Sequence, residues 1–264
     1  MTEFRANSGQ VGGPFEGARL LLLTTTGARS GKPHTTILGY YPDTGRVLVV
    51  GSAGGSPKHP DWYHNILANP RVTVETGLFS YEADALVLRD AERDEIFARL
   101  VEADPGWGEY QAKVTRSIPV VALQQVVSGP PGNGDSFADT LRLIHELFRR
   151  ELALIRKEFA AAGPSLGAQL RINCLTMCQG LHHHHTGEST MLFPHLLAQH
   201  PELAATIEQL DAEHTKIAEL LEELQTLIST PTADPADALP ELDRLIESLT
   251  AHLDYEEAQL IPLL

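Results

Sequence analysis

Two different spacings of hydrophobic residues divide this chain. In the first half, short runs rich in Leu, Val and Thr, at Leu20–Thr26 and residues 47–50, 72–76 and 119–123, are separated by glycine-rich turns. Aliphatic and β-branched residues in such short runs suit a pleated strand, so each run predicts a strand. Helical spacing interrupts them near 62–68 and over 92–102. This half therefore predicts a small β-barrel or sheet with helices added.

Beyond residue 136 the spacing becomes helical, in segments near 137–161, 167–199, 201–229 and 237–263 divided by Gly163-Pro164, His200-Pro201 and Thr230-Pro231. One apolar stripe runs along each: Leu141, Phe148, Leu152 and Ile155; Leu170, Met177, Leu181 and Leu192; Ile207, Leu210, Ile217, Leu221 and Leu224; Leu242, Leu245, Leu249 and Leu260. Four amphipathic helices with short connections predict an up-and-down bundle. The Gly- and Pro-rich stretch 128–136 between the two patterns predicts a linker. The expected organisation is multidomain: 1–127, a linker at 128–136, and 137–264.

Each stripe is broken by a histidine where the spacing asks for an apolar residue: His145, His184, His214 and His252. Glu188 and Glu256 follow two of these four residues later, which places each pair on one helix face one turn apart. Burying four imidazoles and two carboxylates without a cation would cost several kcal/mol. The mixed N/O donor set, in which carboxylates can bridge two ions, suits a non-haem di-iron centre better than tetrahedral zinc. In the run 182–185 only His184 stands four residues before Glu188, and His185 beside it is the rival ligand. The pattern, a lone His on the first and third helices and His-x-x-x-Glu on the second and fourth, resembles the hemerythrin-like cation-binding family over the whole second half. Ala218, four residues after His214, and Glu256 depart from the oxygen-carrying branch. The resemblance thus implies redox, sensing or nitric-oxide-related chemistry ahead of oxygen storage.

In the first half, the turn after the first strand gathers Arg29, Ser30, Lys32 and glycine amides, a setting suited to phosphate or carboxylate. A second glycine-rich turn at 51–55 leads to Trp62 and Tyr63, which could line a flat ring or, for Trp62, pack the helix on the sheet. The order T-T-G-x-x-S-G-x-P, S-x-G-G and P-x-W-x-x-N-x-x-x-x-P resembles the deazaflavin-dependent nitroreductase and quinone reductase family over about residues 20–123. That resemblance implies a split β-barrel (FMN-binding-like) fold and coenzyme F-420, an 8-hydroxy-5-deazaflavin, with FMN or haem as the alternative occupant. It also implies a small-molecule substrate, a quinone or nitro compound; a diatomic gas is the expected ligand of the bundle. Carried over by motif, Ala28, Arg29, Ser30, His34, Thr35 and Thr36 meet the cofactor tail, and Gly51, Ser52, Ala53, Trp62, Tyr63 and Asn65 meet the rest. Ser52 and Tyr110 are the candidate hydrogen-bond donors to the substrate. His34 and Ala53 stand where the family often has Arg and Lys, which weakens anion binding.

Composition narrows the partners. From Asp135 onward 8 Lys and Arg face 21 Asp and Glu, a net −13 of the total −15, so the bundle should repel nucleic acid. The start of the chain lacks the basic and apolar segments of a signal peptide, and no apolar run nears the roughly 20 residues of a membrane span, so a cytoplasmic protein is expected. Cys174 and Cys178 read as small buried residues. His59, His64, His195 and His200 read as surface residues, and a homodimer is an allowed assembly. The joint expectation is a deazaflavin-dependent reductase coupled to a di-iron bundle. The alternative is a sensor or store for oxygen, nitric oxide or iron whose first domain only binds cofactor.

Overall fold

The computed structural model describes residues 1–126, 136–162, 165–230 and 234–264. The chain forms two compact units, Met1–Asn133 and Gly134–Leu264. Residues 128–135 of the expected linker, and the dividers at Gly163-Pro164 and Pro231, lie outside the described residues.

In the first unit six strands, β1 (Leu20–Thr26), β2 (Pro33–Asp43), β3 (Arg46–Val50), β4 (Arg71–Glu75), β5 (Ser80–Val87) and β6 (Val120–Gln125), close a barrel. Their order is β1-β2-β3-β6-β5-β4, and every pairing is antiparallel. Closure leaves no strand edge exposed. Leu21 and Leu23 point inward onto Val49, Val72, Val74, Val121 and Leu123. Leu20 and Leu22 point the other way, against Phe4 of α1 (Thr2–Ala6). Burial on both faces is why β1 is an unbroken leucine run and not an alternating one. Helix α2 (Asp61–Ala68) seats Trp62 and Ile66 in the inner cluster. Helix α3 (Asp90–Ala103) packs Ile96, Phe97 and Leu100 on Leu48, Val50 and Val120, and α4 (Gly106–Ala112) follows it.

The second unit contains α5 (Phe137–Ala161), α6 (Ala168–Gly187), α7 (Phe193–Gln199), α8 (Ala204–Ser229) and α9 (Pro235–Leu260). A π-helical turn, Glu188–Leu192, joins α6 to α7, so the expected second helix continues through a bulge. Helix α5 packs on α6 and α9, and α8 packs on the same two, giving the cyclic order of an up-and-down bundle. Ser136 caps α5 by accepting the Asp139 amide at 3.1 Å, and Asp234 caps α9 ahead of Pro235. That cap is why α9 starts two residues before the expected position. Every predicted stripe residue is buried except Leu170, which is half-buried against the same core.

Candidate metal centre and cofactor site

The histidines that interrupt the stripes meet inside the bundle. His145, His184, Glu188 and Glu256 form one group of ligating atoms, and His185, His214 and His252 a second, each group with its ligating atoms within 4.8 Å of one another. Both carboxylates reach across the groups. Glu188 Oε1 lies 3.2 Å from His184 Nε2 and Oε2 lies 3.6 Å from His214 Nε2. Glu256 Oε2 lies 3.5 Å from His145 Nε2 and 3.6 Å from His252 Nε2.

Proton placement tests whether these groups suit a cation. His252 Nδ1 faces the Glu213 carboxylate at 2.9 Å and His145 Nδ1 faces Glu257 at 2.9 Å, so both Nδ1 atoms donate. His214 Nδ1 lies 2.9 Å from Ser189 Oγ, whose proton goes to Asp211 at 2.6 Å, so this nitrogen also donates. The Nε2 atoms of these rings then carry lone pairs. Two such lone pairs, on His214 and His252, face each other at 3.1 Å, and His145 Nε2 meets His184 Nε2 at 3.1 Å. Among the described residues both oxygens of Glu188, both of Glu256, and His185 Nε2 are buried without a hydrogen-bond partner. Converging lone pairs and orphaned carboxylate oxygens are what cations would satisfy.

Burial disfavours charge on every one of these groups, which readies the imidazoles for a cation and leaves the carboxylates needing one to stay ionised. It lowers the pKa of His145, His184 and His214 to about 3 each and lowers those of His185 and His252. Neutral imidazole is the ligating form. Burial raises Glu256 to about 7, and burial together with the neighbouring Glu256 raises Glu188.

His184 and His185 are not exclusive alternatives. Consecutive residues on a helix differ by about 100 degrees, so His184 joins the first group while His185 stacks on His214 with ring centroids 4.1 Å apart. In the sequence the four-histidine run offered His185 only as the rival of His184. The π turn beginning at Glu188 hid another contact, because it brings Ser189 against His214.

The barrel candidates lie on two turns and two helices. In the first turn Gly27 donates to Lys32 O and Gly31 to Gly27 O, both at 2.8 Å, leaving Ala28, Arg29, Ser30 and Lys32 exposed. A Cβ on Gly27 would meet Ser30 Oγ and the His34 ring, so a larger residue there would displace the Ser30–His34 contact. Asn65 is buried and binds this turn to α2, accepting from the Ala28 amide and donating to Thr25 Oγ1 at 3.0 Å each. His34 Nε2 lies 3.1 Å from Ser30 Oγ. Thr36 is paired opposite inward-facing Leu23, whereas Thr35 points to the other face and meets Thr24 Oγ1 at 2.8 Å.

In the second turn Gly51 and Ser52 are buried, and Ala53, Gly54 and Gly55 are left-handed with φ +49, +64 and +79. A Cβ on Gly55 would lie 3.4 Å from Tyr110 Cδ1, so Tyr110 of α4 closes on this turn. Arg116 clamps it, donating to Ser52 O at 2.8 Å, Ser56 O at 3.0 Å and Gly51 O at 3.4 Å. Its Nη1 also lies 3.2 Å from His59 Nδ1, and the His59 ring lies tilted against Tyr63 with centroids 4.7 Å apart. His59 is thus half-buried and bonded, unlike the surface residue expected. His200 is also half-buried, and its Nδ1 lies 3.2 Å from Glu202 Oε1, whereas His64 and His195 are exposed as expected. Trp62 is 5% exposed within the barrel core, the packing role among its two readings. The exposed cations and glycine amides of these turns suit a phosphate-bearing cofactor. A cleft of about 540 Å³ lined by Thr24, Thr26, Asn69, Arg71, Glu82 and Asp84 contains none of the candidate residues.

A family model for F420H(2)-dependent quinone reductase matches residues 1–125, and one for the hemerythrin HHE cation binding domain matches residues 136–264. An F420H(2)-dependent quinone reductase of Mycobacterium tuberculosis is 37% identical over 124 residues, covering 46% of this chain and 83% of the relative. A second M. tuberculosis protein, described as a putative F420H(2)-dependent quinone reductase, is 34% identical over 104 residues, 39% of this chain and 87% of its own. A solved F420-H2 dependent reductase is 41% identical, with 40% of this chain and 94% of that chain covered at a TM-score of 0.37.

Proposed function

The chain belongs to the F420H2-dependent quinone reductase family through residues 1–125 and carries a hemerythrin HHE domain over residues 136–264, and from this premise we propose a two-domain redox protein that reduces a quinone with F420H2 and holds two irons in its bundle. The domains divide at 1–127, 128–136 and 137–264. In the barrel, Arg29, Ser30 and Lys32 hold the anionic tail of the deazaflavin, with His34 and Thr36 beside them. Asn65 holds that turn in shape, Gly51, Ser52, Ala53 and Tyr63 flank the ring, and Trp62 seats α2. Thr35 lies on the far face and serves its strand. Bound F420H2 supplies a hydride. Quinone takes up that hydride and one proton to become hydroquinone, and Tyr110 or Ser52 donates a hydrogen bond to the oxygen on which negative charge develops. Shared sequence with the M. tuberculosis quinone reductases supports this half. Menadione turnover with F420H2 tests it, and tight F420 binding without turnover would favour the second reading, a gas or iron sensor. The Ser30 contact that occupies His34, where an anion-binding arginine is common, favours that reading.

In the bundle, His145, His184, His185, His214 and His252 together with Glu188 and Glu256 would hold the irons. The observation that carries this is the set of four buried carboxylate oxygens without hydrogen-bond partners between converging imidazoles. A bound iron pair would supply one-electron redox chemistry and a binding partner for a diatomic ligand. Electron supply from the reductase half is the joint activity. Iron in the full chain is then reduced by F420H2 faster than in a mixture of separate domains. Among the described residues no helix is long and apolar enough to cross a membrane; a cytoplasmic site of action and a homodimer complete the proposal.

A further inference from the structure

Three bundle histidines are held from behind. The Nδ1–H of His252 donates to Glu213 Oε2 at 2.9 Å, and the other Glu213 oxygen accepts from Gln209 at 2.9 Å. The Nδ1–H of His145 donates to Glu257 Oε1 at 2.9 Å, and Arg149 fixes that oxygen at 2.8 Å while reaching Asp254 at 2.7 Å. The Nδ1–H of His214 donates to Ser189 Oγ, which passes its own proton to Asp211 Oδ1. None of these outer groups lies in either ligand cluster. Each nonetheless decides which ring nitrogen is free, because an imidazole whose Nδ1–H is engaged outward presents an Nε2 lone pair inward. A carboxylate acceptor also adds electron density to that lone pair.

Resting on the metal reading above, we infer that Glu213, Glu257 and Ser189 are positioning residues of the metal centre: they lock His252, His145 and His214 in the ligating tautomer and so set how long the metal is retained. Glu213 and Glu257 sit at the bundle surface with 30% and 26% side-chain exposure. Replacing them perturbs the ligand rings while leaving the apolar core intact.

The test is release of iron from the full chain to a chelator, followed for the parent, Glu213→Leu, Glu213→Gln, Glu257→Leu and Ser189→Ala, with the metal-free melting temperature of each. Loss of an outer partner should speed release about 10- to 100-fold. Glu213→Gln, which keeps an acceptor but loses its charge, should fall between parent and Glu213→Leu, and metal-free melting should be unchanged. Release at the parent rate in both Leu variants overturns the inference, as does acceleration that only tracks a fall in metal-free melting. A parent chain that carries no iron overturns the metal reading itself, and is told apart because it is seen before any substitution.

Discussion

The two candidate sites are built in opposite ways. In the bundle, every proposed ligand except His184 is buried, and that one is 10% exposed at its side chain, so the site is enclosed and preformed by helix packing. In the barrel, Ala28, Arg29 and Ser30 stand exposed on a turn with His34 exposed at the start of β2, whereas Gly51, Ser52, Trp62 and Asn65 are buried behind them. An enclosed polar site strains the fold that holds it, whereas an exposed one costs the fold little. The two should therefore respond differently to substitution.

The largest contrast is inside the bundle. Leu249→Ala should destabilise it by about 2–5 kcal/mol through loss of packing, whereas Glu256→Leu should abolish metal retention yet leave the metal-free bundle equal or up to about 4 kcal/mol more stable. Urea unfolding of metal-free protein measures both, and equal losses would erase the contrast. Next, His185→Ala should cost one of two bound metals, whereas retention of both would remove His185 from the ligand set. In the barrel, Arg29→Ala should weaken F420 binding about ten-fold, read by fluorescence titration, with no change in melting. The smallest effect is at Ala53, whose left-handed φ of +49 disfavours any Cβ. Ala53→Gly should stabilise the barrel by up to roughly 1 kcal/mol in the same urea experiment.

The same difference governs what could be seen in the sequence. A histidine within an apolar stripe stands out because burial is unfavourable for it, so His145, His214 and His252 were legible from spacing alone. His185 was legible only as a rival to His184, not as a companion, and Ser189 was hidden by the π turn, whose extra residue no periodic pattern anticipates. In the barrel, β1 stood out through four consecutive buried leucines, but β2 and β5 are mostly half-exposed and carry no apolar run. They exist because register and hydrogen bonding to their neighbours complete the ring. The first-turn residues were candidates for an anion from composition, and only resemblance pointed to a deazaflavin, since a Gly- and Arg-rich turn has many uses. Arg116 was missed as a fastening residue because its partners are backbone carbonyls, which leave no trace in side-chain pattern.

The most direct measurement is metal content by mass spectrometry, with a visible spectrum, on full-length protein purified without a histidine tag. About two irons per chain, falling to none in Glu256→Leu, is the predicted result. A chain that holds no metal, or a single zinc unaffected by that substitution, would contradict the account.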